Sequence, residues 1–139
     1  MGKPDNQQIG LAGEYYVAFT LSRLGYDIGI TIGRAKIFDM TAVAPSGKVI
    51  NIQVKATYSG SHWPARKFSP NKNSVVALVR LGKYPTEKPE LYFLPGAEAS
   101  ELITVSTVSC IKHGDVKRKF GDHDFKLIER LLGKPSRDA

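Results

Sequence analysis

An α/β fold, a mixed central sheet of about five strands flanked by helices, is predicted by three observations. A helical stretch opens the chain and another closes it, with apolar residues recurring at helical spacing in each. Between them lie short runs that alternate or are continuously apolar, separated by Gly, Pro, Asn and Ser. The chain has 139 residues, 42% hydrophobic and 24% charged, with no repeat or low-complexity stretch. That is enough to bury a core, so residues 1–139 read as one domain, with 1–7 and 134–139 flexible.

The opening helix is expected from about Gln8 to Leu24, with Gly25 at its C-cap. At about 100° per residue, Leu11, Val17, Ala18, Leu21 and Leu24 gather on one side, and Tyr16 and Arg23 lie opposite. Glu14 falls in the middle of the apolar side. A carboxylate there is costly unless something pairs with it or a metal binds it. It reads either as a site residue or as an ion-paired residue at the rim.

Tyr26 to Ile32 alternates as a strand, with Gly29 a position of close approach or a bulge. Residues 33–36 are expected to form a turn or short basic loop, and Ile37 to Met40 resumes a strand that delivers Asp39. After a turn at Pro45-Ser46-Gly47 comes strict alternation: Ile50, Ile52 and Val54 share one face, Asn51, Gln53 and Lys55 the other. Tyr58 to Lys72 is a loop in which Arg66, Lys67 and Lys72 alternate with His62, Trp63 and Phe68. Trp63 is expected to pin the loop to the core, and the cations are candidates for phosphate contact.

Ser74 to Leu81 is almost continuously apolar, which suits a central strand buried on both faces. Leu91 to Leu94 is a further strand, stopped by Pro95-Gly96. Ala97 to Leu102 is a short helix, and Ile103 to Ile111 a strand or extended segment holding Cys110 as a small buried filler. Lys112 to Lys119 is a second basic cluster, from which Lys117 and Lys119 are further phosphate candidates. Asp122 is expected to cap a last helix, Asp124 to Leu132, ended by Gly133 and Pro135. That cap accounts for Asp122-His123-Asp124 without a metal. His62 and His113 read as phosphate contacts or exposed residues.

Twenty Lys+Arg against 13 Asp+Glu give a formal charge of +7, which fits a polyanionic partner, most often nucleic acid. The one cysteine makes neither an internal disulfide nor a cysteine zinc cluster, which favours a reducing, cytoplasmic setting. The first residues lack the apolar core of a signal peptide, and Asn6 stands where a myristoylation signal needs Ser or Thr. No apolar run approaches the roughly 18 residues of a membrane span. A soluble cytoplasmic protein is expected.

Glu14, Asp39, Gln53 and Lys55 share a coherent chemical task. Magnesium prefers oxygen ligands, usually one or two carboxylates completed by water and phosphate. Asp39 would be the main ligand for Mg²⁺ or Mn²⁺, Gln53 would offer its amide oxygen, and Glu14 would reach in directly or through water. Lys55, on the same strand face as Gln53, would orient water and stabilise the transition state.

Gly10-Leu11-Ala12-Gly13-Glu14, Phe38-Asp39 and Ile52-Gln53-Val54-Lys55-Ala56-Thr57 resemble the PD-(D/E)XK nuclease superfamily, in particular its small endonuclease branch with a V-Q-V-K core strand. The similarity extends over residues 10–57, and more loosely to Tyr92-Phe93-Leu94-Pro95. It implies a restriction-endonuclease-like fold and magnesium-dependent cleavage of DNA, in recombination, repair or mobile-element homing. Glu14 matches the helix acid, Asp39 the hairpin metal ligand, and Gln53 and Lys55 the Q-x-K pair. Two features depart from the commoner pattern: no proline precedes Asp39, and Gln53 replaces an acid. By analogy a homodimer would offer two sites for two strands. The contrasting expectation is a non-catalytic nucleic-acid-binding domain on the same fold; a basic structural protein is a third.

Overall fold

The computed structural model describes residues 2–32, 37–105 and 107–135. The expected turn at 33–36 and the tail 136–139 lie outside them. Helix α1 (Asn6–Leu24) is followed by β1 (Asp27–Ile30), β2 (Met40–Val43), β3 (Val49–Tyr58), β4 (His62–Pro64), β5 (Ser74–Leu81) and β6 (Glu90–Pro95). Then come α2 (Gly96–Leu102), β7 (Cys110–Lys112), α3 (His113–Lys119) and α4 (Lys126–Leu132). The main sheet has five strands in the order β1-β2-β3-β5-β6. Only the β3–β5 pair is parallel; the others are antiparallel. The predicted mixed five-stranded sheet with flanking helices is the fold observed.

Strand alternation divides the interior in two. Ile50 and Ile52 of β3, Val75, Ala77 and Val79 of β5, and Leu91 and Phe93 of β6 pack with α1 and α4 on one face. Val76, Leu78, Tyr92 and Leu94 pack on the other against Trp63, Ile111, Ala99 and Val116. β5 is therefore buried on both faces, as its apolar run predicts. Trp63 pins its loop as expected, with Nε1 donating to the carbonyl of Val79 at 2.9 Å.

Several expectations need correction. α1 starts at Asn6, because Asp5 accepts from Gln8 N and Gln8 reciprocates in a capping box. That brings Asn6 and Gln7 into the helix, with Asp5 as its extended N-cap. The buried face of α1 is Ile9, Gly13, Val17, Ala18 and Leu21, while Leu11 is exposed. The helix approaches the sheet most closely at Gly13, where a Cβ would lie 2.6 Å from that of Ala56. An apolar count that gives glycine no weight misplaces this face. Tyr16, expected opposite the core, is half-buried and bonded to His123 at 2.7 Å.

The strand expected from Ile37 begins only at Met40, leaving Asp39 just before it. The long loop contains β4, which pairs with β7 in a second, two-stranded sheet. The stretch Ile103 to Ile111 is not one strand: Thr104 pairs back with Cys110, and only residues 110–112 form β7. Alternation there buries Ile111 and leaves Cys110 half-exposed, so it is not a buried filler. The basic cluster is helix α3. α4 starts at Lys126, and Asp122 is not its cap; its Oδ1 accepts instead from Leu91 N on β6 at 2.8 Å.

Candidate active site

The site grows from unequal pairing of β3. With β2 it pairs only over Val49–Ile52, whereas with β5 it pairs from Asn51 to Tyr58. Met40 faces Ile52, so one further register step sets Asp39 opposite Gln53. There the backbone ladder ends and a side chain continues it. Asp39 N donates to the Ile52 carbonyl at 3.0 Å, and Asp39 Oδ2 accepts from Val54 N at 2.7 Å. This fixes the carboxylate at the end of β2, beside a notch where β3 no longer pairs with β2.

Gln53 and Lys55 point away from α1, since Ile52 and Val54 face it. Both line a cleft of about 570 Å³ whose other wall includes Ala65, Arg66, Lys67 and Phe68. Lys55, Arg66 and Lys67 supply cations, and no acidic side chain lines this cleft among the described residues. Gln53 also lines an adjoining cavity of about 190 Å³ with Phe38, Phe68 and Asn71. The amide of Gln53 thus lies between the cationic cleft and the segment that delivers Asp39.

The cationic wall is anchored at two points. Ser100 Oγ donates to the Phe68 carbonyl at 3.0 Å, while Lys67 Nζ donates to the Ser100 carbonyl at 3.0 Å. Ala65 N donates to the Ser109 carbonyl at 3.1 Å. Phe68, Val108 and Ser109, all lining the cleft, were given no role from sequence. Val108 and Ser109 arrive through the β4–β7 pairing, a long-range contact with no local signal.

Glu14 is half-buried on α1, next to Gly13 and so level with Val54 and Ala56. α1 lies on the face of β3 opposite Gln53 and Lys55. Lys72 is exposed next to Asn71 at the smaller cavity. Lys117 and Lys119 are exposed on α3 outside the cleft; Lys119 borders a separate cavity with Lys126 and Arg130. The structure therefore gathers Gln53, Lys55, Arg66 and Lys67, sets Asp39 beside them, and leaves the α3 cations elsewhere.

Two histidines are held in structural networks. His113 Nε2 lies 2.9 Å from Glu90 Oε1, and Glu90 also pairs with Arg80 at 3.0 Å and accepts from Tyr92. Burial alone raises the Glu90 pKa, but the bonds from Tyr92, His113 and Arg80 outweigh it and bring it down to about 2. The Tyr92 hydroxyl is pushed up by burial and by Glu90. His123 joins Asp122 Oδ1 at 2.6 Å to the Tyr16 hydroxyl at 2.7 Å, tying the end of β6 to α1. His62 is exposed on β4. Among the described residues, no group of three or more His, Cys, Asp or Glu is arranged to hold a metal. A pair of acids with an amide falls outside that pattern.

The architecture is a mixed α/β fold that a solved structure shares. In particular it is similar to the solved structure of a bacterial homing endonuclease, I-Ssp6803I, with a TM-score of 0.58 over 78% of each chain. The sequences are 12% identical, so the likeness is one of fold. No family model matches the chain, and no curated protein matches it in sequence. No helix among the described residues is long and apolar enough to cross a membrane.

Proposed function

We propose that this protein is a metal-dependent endonuclease of the PD-(D/E)XK type that hydrolyses DNA phosphodiester bonds. The observation that carries the proposal is the cleft: an amide and a lysine from one face of β3 share it with Arg66 and Lys67, and Asp39 is held on the N–H of Val54, the residue between them. Fold likeness to a homing endonuclease supports the same class.

The donors fit Mg²⁺ or Mn²⁺. Asp39 offers carboxylate oxygens and Gln53 an amide oxygen, the two stand one register step beyond the Met40–Ile52 pair, and the cleft that Gln53 lines is large enough for water and a phosphate. Glu14 would complete the set from α1. When bound, such an ion lowers the pKa of water and offsets charge on the scissile phosphate.

The protein's own groups do the rest. Arg66, with its fork of donors, grips a phosphate adjoining the scissile one, and Lys67 adds a positive charge from its tether on Ser100. Lys72, Lys117 and Lys119 extend contact along the backbone. Lys55 orients the attacking water in line with the leaving oxygen and donates to the non-bridging oxygens as charge builds there. Gln53 in place of an acid leaves the site one negative charge poorer, which lowers metal affinity and favours approach of the phosphate.

Incubation of supercoiled plasmid with the protein and Mn²⁺ tests the proposal. Nicked or linear product that Asp39→Ala abolishes supports it. Intact plasmid bound by the wild type overturns it in favour of a binding module on the same fold.

A further inference from the structure

Along the exposed side of α1 the ring contact among the described residues is local to the helix, the Arg23 guanidinium lying over the Phe19 ring at 5.6 Å. Leu11, Tyr15 and Phe19 stand there 50%, 57% and 57% exposed, at successive spacings of four residues. Residues four apart form one ridge on a helix; Gln7 and Arg23 continue this ridge at its two ends, and Gln8 and Ser22, three residues from Leu11 and Phe19, flank it. Between Asn6 and Leu24 the helix carries only two charged residues, Glu14 and Arg23, on a chain of formal charge +7. The surface is therefore poorly suited to nucleic acid, which seeks cations, and lacks the lysine-rich flanks of a helix that lies on an anionic membrane.

We propose that a second copy of this chain covers this surface, α1 packing antiparallel on α1 about a two-fold axis at Tyr15. An isologous contact needs a patch that complements itself, and this ridge does. With Tyr15 against the partner's Tyr15, Leu11 meets the partner's Phe19 and Gln8 meets the partner's Ser22. Apolar meets apolar, and polar meets polar. The same arrangement brings Arg23 to within about one turn of the partner's Asp5, the N-cap carboxylate, so the ends carry opposite charges. It is also the place where two strongly basic molecules meet without setting cations against cations.

Ile30, 42% exposed, projects on the α1 side of the sheet by alternation from Ile28. One helix ridge is smaller than the roughly 800 Å² per partner of a standard interface. Association is therefore expected to depend on concentration. α1 lies on the face of the sheet opposite Gln53 and Lys55, so pairing leaves both clefts open. The inference does not depend on the chemistry proposed for them.

Sedimentation velocity from low to high micromolar concentration tests it. The wild type should rise from 15.3 kDa towards twice that mass. Tyr15→Glu should stay at 15.3 kDa with an unchanged circular dichroism spectrum and Tm. Tyr15→Cys in a Cys110→Ser background should give a disulfide-linked dimer under mild oxidation. A wild type that remains monomeric throughout overturns the proposal, as does a Tyr15→Glu variant that associates equally well. Binding of the monomeric wild type to anionic vesicles, lost in Tyr15→Glu, would overturn it by assigning the ridge to lipid.

Discussion

At the residue scale, Asp39 has two tasks that substitution can separate. Its Oδ2 accepts the Val54 N–H where β3 loses its backbone partner, and its position stands one register step beyond the Met40–Ile52 pair, opposite Gln53. Asp39→Ala removes a charged acceptor from a half-buried backbone donor and should cost about 1–2 kcal/mol in urea unfolding. Cleavage should fall by a factor of at least about 10², far more than the stability loss explains. Arg66 belongs to the other wall. Arg66→Ala should weaken binding of all DNA sequences alike and lower the slope of log affinity against log salt by about one, read by fluorescence anisotropy.

The same scale shows what the sequence made legible. The alternation of Ile50 to Lys55 sets Gln53 and Lys55 on one face by strand geometry alone. Arg66 and Lys67 stand out as cations in a loop rich in rings and Pro. The cleft that joins them depends on the β4–β7 pairing, which links residues nearly fifty positions apart and leaves no local pattern. Asp122 failed as a predicted cap because a caps-first reading weighs only neighbours in sequence, whereas its partner is Leu91 on β6.

At the scale of elements, α1 meets β3 through glycine, and this sets where Glu14 sits. A Cβ at Gly13 would come within 2.6 Å of the Ala56 Cβ, while one at Gly10 would meet nothing within 4 Å. Gly13→Ala should therefore destabilise by about 1–3 kcal/mol despite its better helix propensity. Gly10→Ala, three residues away, should stabilise by about 0.5–1 kcal/mol. Thermal unfolding of the two variants checks both signs. Opposite results from one substitution type would locate the closest approach of helix and sheet. The apolar periodicity of α1 did reveal a helix with one buried side, but that side includes Gly13, its point of closest approach to the sheet and a residue with no hydropathy signal. That misplaced Leu11 into the core, where the structure instead shows an exposed ridge.

At the scale of the molecule, the sheet separates a cationic cleft on one face from a largely apolar helix ridge on the other. The far ends of β5 and β6 are fastened by Glu90 with Arg80, His113 and Tyr92. The Glu90 pKa, about 2 when folded against 4.5 in the reference state, makes this fastening pH-dependent. A carboxylate with a depressed folded pKa stabilises fully above its unfolded value, and the contribution fades as pH falls from about 4.5 to about 2. It should be on the order of 2 kcal/mol, allowing for a side chain 26% exposed. Urea midpoints of wild type and Glu90→Gln should converge across that window and differ above it.

The central claim concerns the cleft, and Lys55 tests it most directly, because its proposed work lies in the transition state. Single-turnover cleavage of duplex, branched and single-stranded DNA with Mg²⁺ or Mn²⁺, alongside the Kd for each, should be measured for wild type and Lys55→Ala. The account predicts metal-dependent cutting whose rate falls by at least about 10² in Lys55→Ala while Kd changes little. Equal rates in the two proteins, or a wild type that binds each substrate and cuts none with either metal, would contradict it.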